Sequence, residues 1–184
     1  MRPPRALSLL LIVCVFAATL WTTTPAFAGI PPGRYAIGDS VMLGARDELR
    51  ARGFVVDAVS SRQFSDAVTI VRHKAASGVL RRKVIIHLGT NGILIQPSQC
   101  DAIAKAVGAG RHVYLVTVTG PTRYPKIRKA QNTRLRACAD RHANTSLLDW
   151  YGYSRGHGGW FYDGMHLTAS GQDAYAAYLG SRTS

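Results

Sequence analysis

Short apolar runs alternate along the chain with longer segments in which apolar residues recur every three or four positions. The short runs predict five strands. The run from Val84 to Leu88 is predominantly apolar, which is typical of a strand covered on both faces of a parallel sheet. The predicted strands cover residues 35–37, 54–59, 84–88, 112–118 and 146–149.

The longer segments predict five helices. Gly53 ends the first helix, and Ser65 is placed to cap the second. Residues 151–163 are rich in glycine and are predicted to form a long loop. The helices are predicted at residues 41–52, 65–80, 98–107, 126–143 and 169–182.

Strands and helices that alternate in this way predict a parallel sheet with helices on both faces. The expected fold class is α/β, a three-layer α/β/α arrangement around a five-stranded parallel sheet. Ligands of such sheets bind at the carboxyl ends of the strands. Three polar clusters fall at those ends, and they are Gly38-Asp39-Ser40, Gly89-Thr90-Asn91 and Asp163-Gly164-Met165-His166.

Ser40 lies between the first predicted strand and the first predicted helix. A serine at such a turn exposes its hydroxyl, and its own backbone N–H points to where an oxyanion would form. Asn91 would offer a side-chain N–H to the same oxyanion. Both residue types are also common in ordinary turns and helix caps, and the helix dipole alone favours Asp39 at its position.

Asp163 and His166 are three positions apart. On a tight turn the carboxylate can accept a hydrogen bond from one ring nitrogen while the other nitrogen faces Ser40, as in a Ser-His-Asp triad. A surface turn followed by a histidine is the alternative. Because all three clusters arrive at strand ends, we interpret Ser40 as the nucleophile, His166 as the base and Asp163 as the residue that orients the base.

The order of these residues resembles the SGNH hydrolase superfamily, which is named after a serine, a glycine, an asparagine and a histidine. Ser40, Asn91 and His166 match three of the four, and Asp163 matches an aspartate that the superfamily has three residues before its histidine. The resemblance covers nearly all of residues 29–184. It implies a flavodoxin-like sheet, acyl-ester chemistry without a metal or other cofactor, and the roles given above.

The glycine of the second family block has no counterpart here, because residues 59–63 read VSSRQ. In the family, the backbone N–H of that glycine completes the oxyanion hole. A backbone donor needs no particular side chain, so the resemblance assigns this role to Ser61 or Arg62, with Ser61 preferred. This stretch, with residues 38–42 and 149–151, looks like the soluble catalytic domains of envelope O-acetyltransferases, such as those acting on peptidoglycan.

Residues 1–28 have the three-part pattern of a secretory signal peptide. Arg2 and Arg5 precede an uncharged apolar run from Leu7 to Leu20, and Ala26-Phe27-Ala28 offers a cleavage site. A helix that spans a bilayer needs about 20 residues, so a permanent membrane anchor is not expected. We predict a secreted, extracytoplasmic protein with a single domain over residues 29–184.

The cysteines and the net charge indicate what this protein meets outside the cell. Cys100 and Cys138 remain once the signal peptide is removed, and they form either an intrachain disulfide or two buried thiols. The chain carries 23 Lys and Arg against 10 Asp and Glu, a net charge of +13. Such a surface favours an acidic envelope polymer or anionic lipid headgroups, or it only maintains solubility. No nucleic-acid partner is expected.

The predicted function is that of a secreted serine esterase that acts on small acyl esters, such as acetyl groups on an envelope glycan, through an acyl-serine intermediate. An O-acetyltransferase that uses the same intermediate on an envelope glycan is the first alternative. A non-catalytic, cationic wall-binding protein is the second. It predicts salt-sensitive adsorption to cell walls without ester turnover.

Overall fold

The computed structural model describes residues 29–184, and the predicted signal peptide, residues 1–28, lies outside the described residues. Five strands form one sheet in the order β2-β1-β3-β4-β5, and every neighbouring pair is parallel. This confirms the predicted five-stranded parallel sheet and its flavodoxin-like order. The strands are β1 (Arg34–Gly38), β2 (Phe54–Ala58), β3 (Lys83–His87), β4 (His112–Val116) and β5 (Thr145–Leu148).

The order of the strands decides where a site can form. The chain runs from β1 outward to β2 and then returns past β1 to β3, so a crevice opens at the carboxyl ends of β1 and β3. Gly38, the last residue of β1, pairs in register with His87, the last residue of β3. The loops that follow these two strands therefore start side by side.

Helices cover both faces of the sheet, as predicted for a three-layer fold. Alternate residues of a strand point to opposite faces. Ile37 and Ile86 pack in the core layer beneath α3, α4 and α5, whereas Ala36 and Ile85 pack in the layer beneath α1, α2, α6 and α7. The helices are α1 (Ser40–Gly44), α2 (Arg46–Ala51), α3 (Asp66–Ala76), α4 (Pro97–Ala106), α5 (Pro125–Arg141), α6 (Trp150–Ser154) and α7 (Ala169–Arg182).

Three details of the helices differ from the prediction. The first predicted helix is two short ones, α1 and α2, because the weak helix former Gly44 is followed by Ala45 with non-helical backbone angles. The side chain of Ser65 makes no capping hydrogen bond, and α3 begins at Asp66. α4 begins at Pro97 and is capped by reciprocal hydrogen bonds between Gln96 and Gln99.

The segment predicted as a long loop contains the helix α6 and a 3-10 turn, Gly158–Trp160. Asp149 caps α6, since its side chain accepts a hydrogen bond from the Gly152 N–H at 3.0 Å. Trp150 is fully buried and stacks on Trp160 with ring centroids 5.8 Å apart. Burial of these rings orders a stretch whose glycines alone indicate a loop.

Cys100 of α4 and Cys138 of α5 form a disulfide, with their Cα atoms 5.6 Å apart. Of the two alternatives left open by the sequence, the pair of free thiols is therefore wrong. The bond closes a loop with a sequence separation of 38 residues. Within residues 29–184, no helix is both long and apolar enough to cross a membrane.

Candidate active site

Ser40 is the first residue of α1, directly after β1. The turn between strand and helix is tight, because a Cβ atom at Gly38 would overlap the side chain of Met42. Asp39 caps the helix, and its Oδ1 accepts a hydrogen bond from the Val41 N–H at 3.0 Å. The Ser40 hydroxyl is thereby held at the carboxyl edge of the sheet, where the sequence placed it.

The structure brings Ser40 and His166 together although they are 126 residues apart in sequence. The Ser40 Oγ atom lies 3.0 Å from Nε2 of His166. On the other side of the ring, Nδ1 of His166 lies 2.8 Å from Oδ2 of Asp163. Because a carboxylate only accepts hydrogen bonds, Nδ1 carries the proton and Nε2 is left to accept from the Ser40 hydroxyl.

Asp163 is fixed by the turn that it starts. Its Oδ1 accepts hydrogen bonds from the backbone N–H groups of Met165 and His166, at 3.0 and 2.8 Å. Gly164 allows this turn, since its φ of 81° is in the left-handed region. Partial burial raises the pKa of Asp163, but the hydrogen bonds from His166 and Met165 outweigh it and hold the pKa below its ordinary value. Asp163 therefore stays charged at neutral pH.

Asn91 lies in the loop after β3 and points its amide toward the same edge. Its Nδ2 donates a hydrogen bond to Oδ2 of Asp39 at 3.3 Å. An amide nitrogen carries two hydrogens, so one remains for an oxyanion beside Ser40. The carboxylate of Asp39 thus joins the helix that carries Ser40 to the loop that carries Asn91.

Ser61 is the one non-glycine residue in the described part of the chain with a positive φ, 62°. This is a conformation that favours glycine, and the family pattern has a glycine in this block. The Arg62 N–H already donates to the Val59 carbonyl at 3.4 Å, which leaves Ser61 as the better backbone donor. Gln63 contacts Gly92, so this loop and the Asn91 loop lie together.

Among the residues of this site, Asp39 is the one for which the sequence predicted the smallest role. It is fully buried, and burial raises its pKa to about 6 although hydrogen bonding from the Val41 N–H and the nearby His166 lower it. The sequence signal was its place before Ser40 at a helix start, which indicates a cap. Its second hydrogen bond, from Asn91, depends on the neighbouring strand and has no local signal.

A second buried polar group lies behind the site. Nδ1 of His87 is 2.7 Å from the hydroxyl of Tyr175, and both side chains are fully buried. Burial lowers the pKa of His87 to about 3, so the ring is neutral. Within residues 29–184, no three His, Cys, Asp or Glu side chains are grouped so as to hold a metal ion.

Two depressions adjoin the Asp163 turn. One, of about 450 Å³, is lined by Asp163, Met165 and the loop 121–124. The other, of about 170 Å³, is lined by Gly164, Phe161 and residues of α6 and the loop that follows it. Both depressions thus adjoin the turn that precedes His166.

Several relatives of this chain bear the name O-acetyltransferase. The peptidoglycan O-acetyltransferase OatA of Listeria monocytogenes is 34% identical to this chain over 149 residues, which are 79% of this chain and 23% of that protein. The O-acetyltransferase OatA of Staphylococcus aureus is 32% identical over 142 residues, 75% of this chain and 23% of that protein. The chain thus spans less than a quarter of these relatives. No protein-family model matches it.

Solved structures give the same indication. The C-terminal catalytic domain of the peptidoglycan O-acetyltransferase OatA from Streptococcus pneumoniae has a TM-score of 0.74 at 25% identity, over 83% of this chain and 93% of that one. A GDSL-like lipase from Bacteroides thetaiotaomicron shares the fold, with a TM-score of 0.64 at 18% identity over 81% of this chain and 86% of that one. The sequence relatives and the shared fold together agree with the site residues, and the chain therefore belongs to the SGNH superfamily.

Proposed function

We propose that this enzyme transfers an acetyl group to a hydroxyl of a cell-envelope glycan through an acetyl-serine at Ser40. The observation that carries the proposal is the unbroken hydrogen-bonded path from Ser40 through His166 to Asp163. Its relatives support transfer to a glycan, since that of Listeria monocytogenes is named a peptidoglycan O-acetyltransferase and that of Bacillus subtilis a putative one.

In the first half of the reaction, the Ser40 oxygen attacks the acyl carbonyl while its proton passes to Nε2 of His166. The charge on the carbonyl oxygen is stabilised by the N–H groups of Ser40 and Ser61 and by the amide of Asn91. When the tetrahedral intermediate collapses, the bond to the donor's alcohol oxygen breaks. That alcohol leaves with the proton held by His166, and an acetyl-serine remains.

In the second half, a glycan hydroxyl gives its proton to Nε2 of His166 and attacks the acetyl-serine. The Ser40 oxygen then leaves, takes the proton back and is restored. Asp163 stays charged throughout and stabilises the imidazolium that forms in each half. Its lowered pKa suits this role, because the carboxylate is available over the whole neutral range.

Hydrolysis of small acyl esters is the second candidate, and it uses the same acetyl-serine. The observation that favours it is the exposure of the site: 39% of the His166 side chain and 51% of the Asp163 side chain are accessible to solvent. Water can therefore reach the base as readily as a sugar hydroxyl. The two candidates differ only in the nucleophile of the second half.

An extracytoplasmic location belongs to the same proposal. The Cys100–Cys138 disulfide supports it, since such bonds persist in oxidising compartments and are rare in the cytosol. The signal-peptide pattern of residues 1–28 supports it independently.

The test supplies an activated acetyl ester, p-nitrophenyl acetate, with and without a chitooligosaccharide acceptor. Release of p-nitrophenol reports the first half, and acetylated sugar measured against free acetate reports the second. We expect acetylated sugar to form, and Ser40→Ala or His166→Ala to lower p-nitrophenol release by at least about a thousandfold. Acetate as the sole product with every acceptor would leave hydrolysis as the function.

A serine-reactive phosphonate followed by mass spectrometry identifies the nucleophile directly. We expect one label on Ser40, lost in Ser40→Ala and retained in a matched control, Ser60→Ala, which changes an exposed serine of a neighbouring loop. Labelling that persists in Ser40→Ala would contradict the assignment. Absence of both labelling and ester turnover in the wild type would contradict the proposed function as a whole.

A further inference from the structure

A groove lies along α5, beside the site rather than in it. It has a volume of about 520 Å³. Four cationic side chains line it together with Tyr151, and within the described part of the chain no acidic side chain does; the cations are Lys126, Arg128, Lys129 and Arg136.

The cations are arranged as a stripe. Lys126, Lys129 and Arg136, with Thr133 between them, follow the spacing of three, four and three residues that places side chains on one face of a helix. From Lys126 to Arg136 the stripe is about 15 Å long, because each helical residue adds about 1.5 Å. An extended chain can therefore meet several of these charges at once.

These four cations are uncompensated. Among residues 29–184, none of them forms an ion pair, whereas Arg62 pairs with Asp57 and Arg141 with Asp101. Three of the four lie near the start of α5, where the helix dipole disfavours positive charge. The helix dipole thus gives no reason for the placement of these three cations. Like charges in a concave surface focus a positive potential into it.

Arg128 is held in position and connects the groove to the site. Its guanidinium lies 4.8 Å from the centre of the Tyr151 ring, and it donates hydrogen bonds to the Tyr151 hydroxyl at 3.2 Å and to the Thr119 carbonyl at 3.5 Å. Arg128 and Tyr151 also line the smaller depression that reaches Gly164, the neighbour of Asp163. A polymer in the groove can therefore continue to His166.

We propose that the α5 groove binds an acidic polysaccharide through its carboxylate groups and so presents a neighbouring sugar to Ser40. This inference rests on the proposed function and adds a substrate class to it. Arg128 is half-buried in the concave groove, where a flexible chain can reach it. A flat layer of lipid headgroups would meet the exposed lysines but not this recessed guanidinium.

The test compares two triple variants of equal charge change. Lys126→Gln/Lys129→Gln/Arg136→Gln alters the groove, and Arg72→Gln/Arg82→Gln/Lys105→Gln alters exposed cations elsewhere on the surface. The ligand is polygalacturonate, with dextran as the neutral polymer. We expect the groove variant to lose about tenfold in affinity for polygalacturonate and the control variant less than about threefold, since single exposed ion pairs contribute little. Neither variant should bind dextran.

Kinetics separate binding from chemistry. With p-nitrophenyl acetate as the donor and polygalacturonate as the acceptor, we expect the groove variant to raise the KM for polygalacturonate about tenfold at unchanged kcat, because the lost contacts are the same in ground and transition states. With p-nitrophenyl acetate and no polysaccharide, the kcat/KM of the groove variant should equal that of the wild type. This result would also show that the variant is folded. Ser40→Ala should bind polygalacturonate like the wild type.

Other outcomes overturn the inference. Equal losses in the two triple variants would mean that only total charge matters. Groove-dependent binding that is tighter for phosphatidylglycerol vesicles or for an oligothymidine would assign the groove to a membrane or to nucleic acid. Ester turnover without polygalacturonate binding would refute the groove alone. Polygalacturonate binding without any ester turnover would refute the proposed function alone.

Discussion

Asp39 is the residue on which the geometry of the site depends most. Its two carboxylate oxygens accept from Val41 and from Asn91, so one side chain fixes both the helix that carries Ser40 and the amide beside it. The carboxylate is fully buried, which is costly for a charge. In the proposed reaction Asp39 touches no substrate atom and acts through the groups that it holds, so it is a positioning residue.

Replacing Asp39 by Asn tests this role. An amide offers one acceptor and one donor, so at least one of the two N–H groups would face another donor. We expect kcat with p-nitrophenyl acetate to fall about 10- to 100-fold with little change in KM, as when an oxyanion donor is displaced. Asp47→Asn, at an exposed position of α2, is the matched control and should leave kcat unchanged.

The same variant has a signature in stability that a general packing defect would lack. The folded pKa of Asp39 is raised from 3.8 to about 6, so its stabilising effect is present below pH 3.8 and is lost as the pH rises through about 6. Between pH 4 and 8, the free energy of unfolding of the wild type should fall relative to Asp39→Asn by about 2–3 kcal/mol. Parallel pH profiles in urea unfolding would contradict this.

At the scale of elements, the disulfide holds α4 to α5 and so supports the helix that carries the cationic groove. In the chain-entropy account, a disulfide that closes a loop of this size stabilises the folded protein by about 4 kcal/mol, and measured effects are often smaller. We expect Cys100→Ser/Cys138→Ser to lower the free energy of unfolding by about 2–4 kcal/mol and the melting temperature by about 10 °C. Neither cysteine lines the depression beside Asp163, so turnover at low temperature should persist.

Reduction provides the control for that variant. Wild type treated with dithiothreitol should melt at the temperature of the double variant, and the reductant should leave the variant itself unchanged. A double variant as stable as the oxidised wild type would show that helix packing alone holds α4 and α5 together.

The sequence predicted the sheet because the pattern of strands is local and strong. It missed α6, because the residue that starts this helix, Asp149, acts through one side-chain hydrogen bond, and Trp150 is ordered by rings that are distant in sequence. It predicted α1 and α2 as one helix for a related reason: the apolar spacing continues through Gly44 and Ala45, while the helical backbone is interrupted at Ala45.

The main residues of the site were predictable because strand ends converge in a parallel sheet. Ser40, Asn91 and His166 could be named from their places after strands and before helices. Two features lay beyond local patterns. The left-handed φ of Ser61 was not predictable, because a serine in the sequence does not indicate that conformation. The hydrogen bond from Asn91 to Asp39 joins two loops that only the sheet brings together.

At the scale of the whole molecule, two buried groups act in opposite directions on acid stability. As the pH falls from 6 to 4, Asp39 gains a proton more readily in the folded chain, which favours folding. His87, with its folded pKa lowered to about 3, gains its proton more readily in the unfolded chain, which favours unfolding. The two contributions largely offset each other until the pH falls below about 4, where the effect of His87 remains.

Replacing His87 by Gln should remove the part of the free energy of unfolding that is lost at low pH. The His87 contribution is present above pH 6.5 and is lost as the pH falls toward about 3. Between pH 7.5 and pH 4, we expect the free energy of unfolding of the wild type to fall by about 3 kcal/mol more than that of His87→Gln. His73→Gln, at an exposed position, is the control. Equal acid sensitivity of all three proteins would exclude His87 as the cause.

The long sequence separation between Ser40 and His166 affects the protein before it is finished. α7 docks on α2, where Arg52 pairs with Asp173 at 2.8 Å, and the histidine is held just ahead of that last helix. A nascent chain that emerges amino terminus first therefore exposes Ser40 without a partner imidazole until His166 has been added and folded. In the proposed mechanism a polypeptide that ends before residue 166 would carry the serine without its base, so the order of synthesis places the start of acyl transfer after the last strand of the sheet has been made.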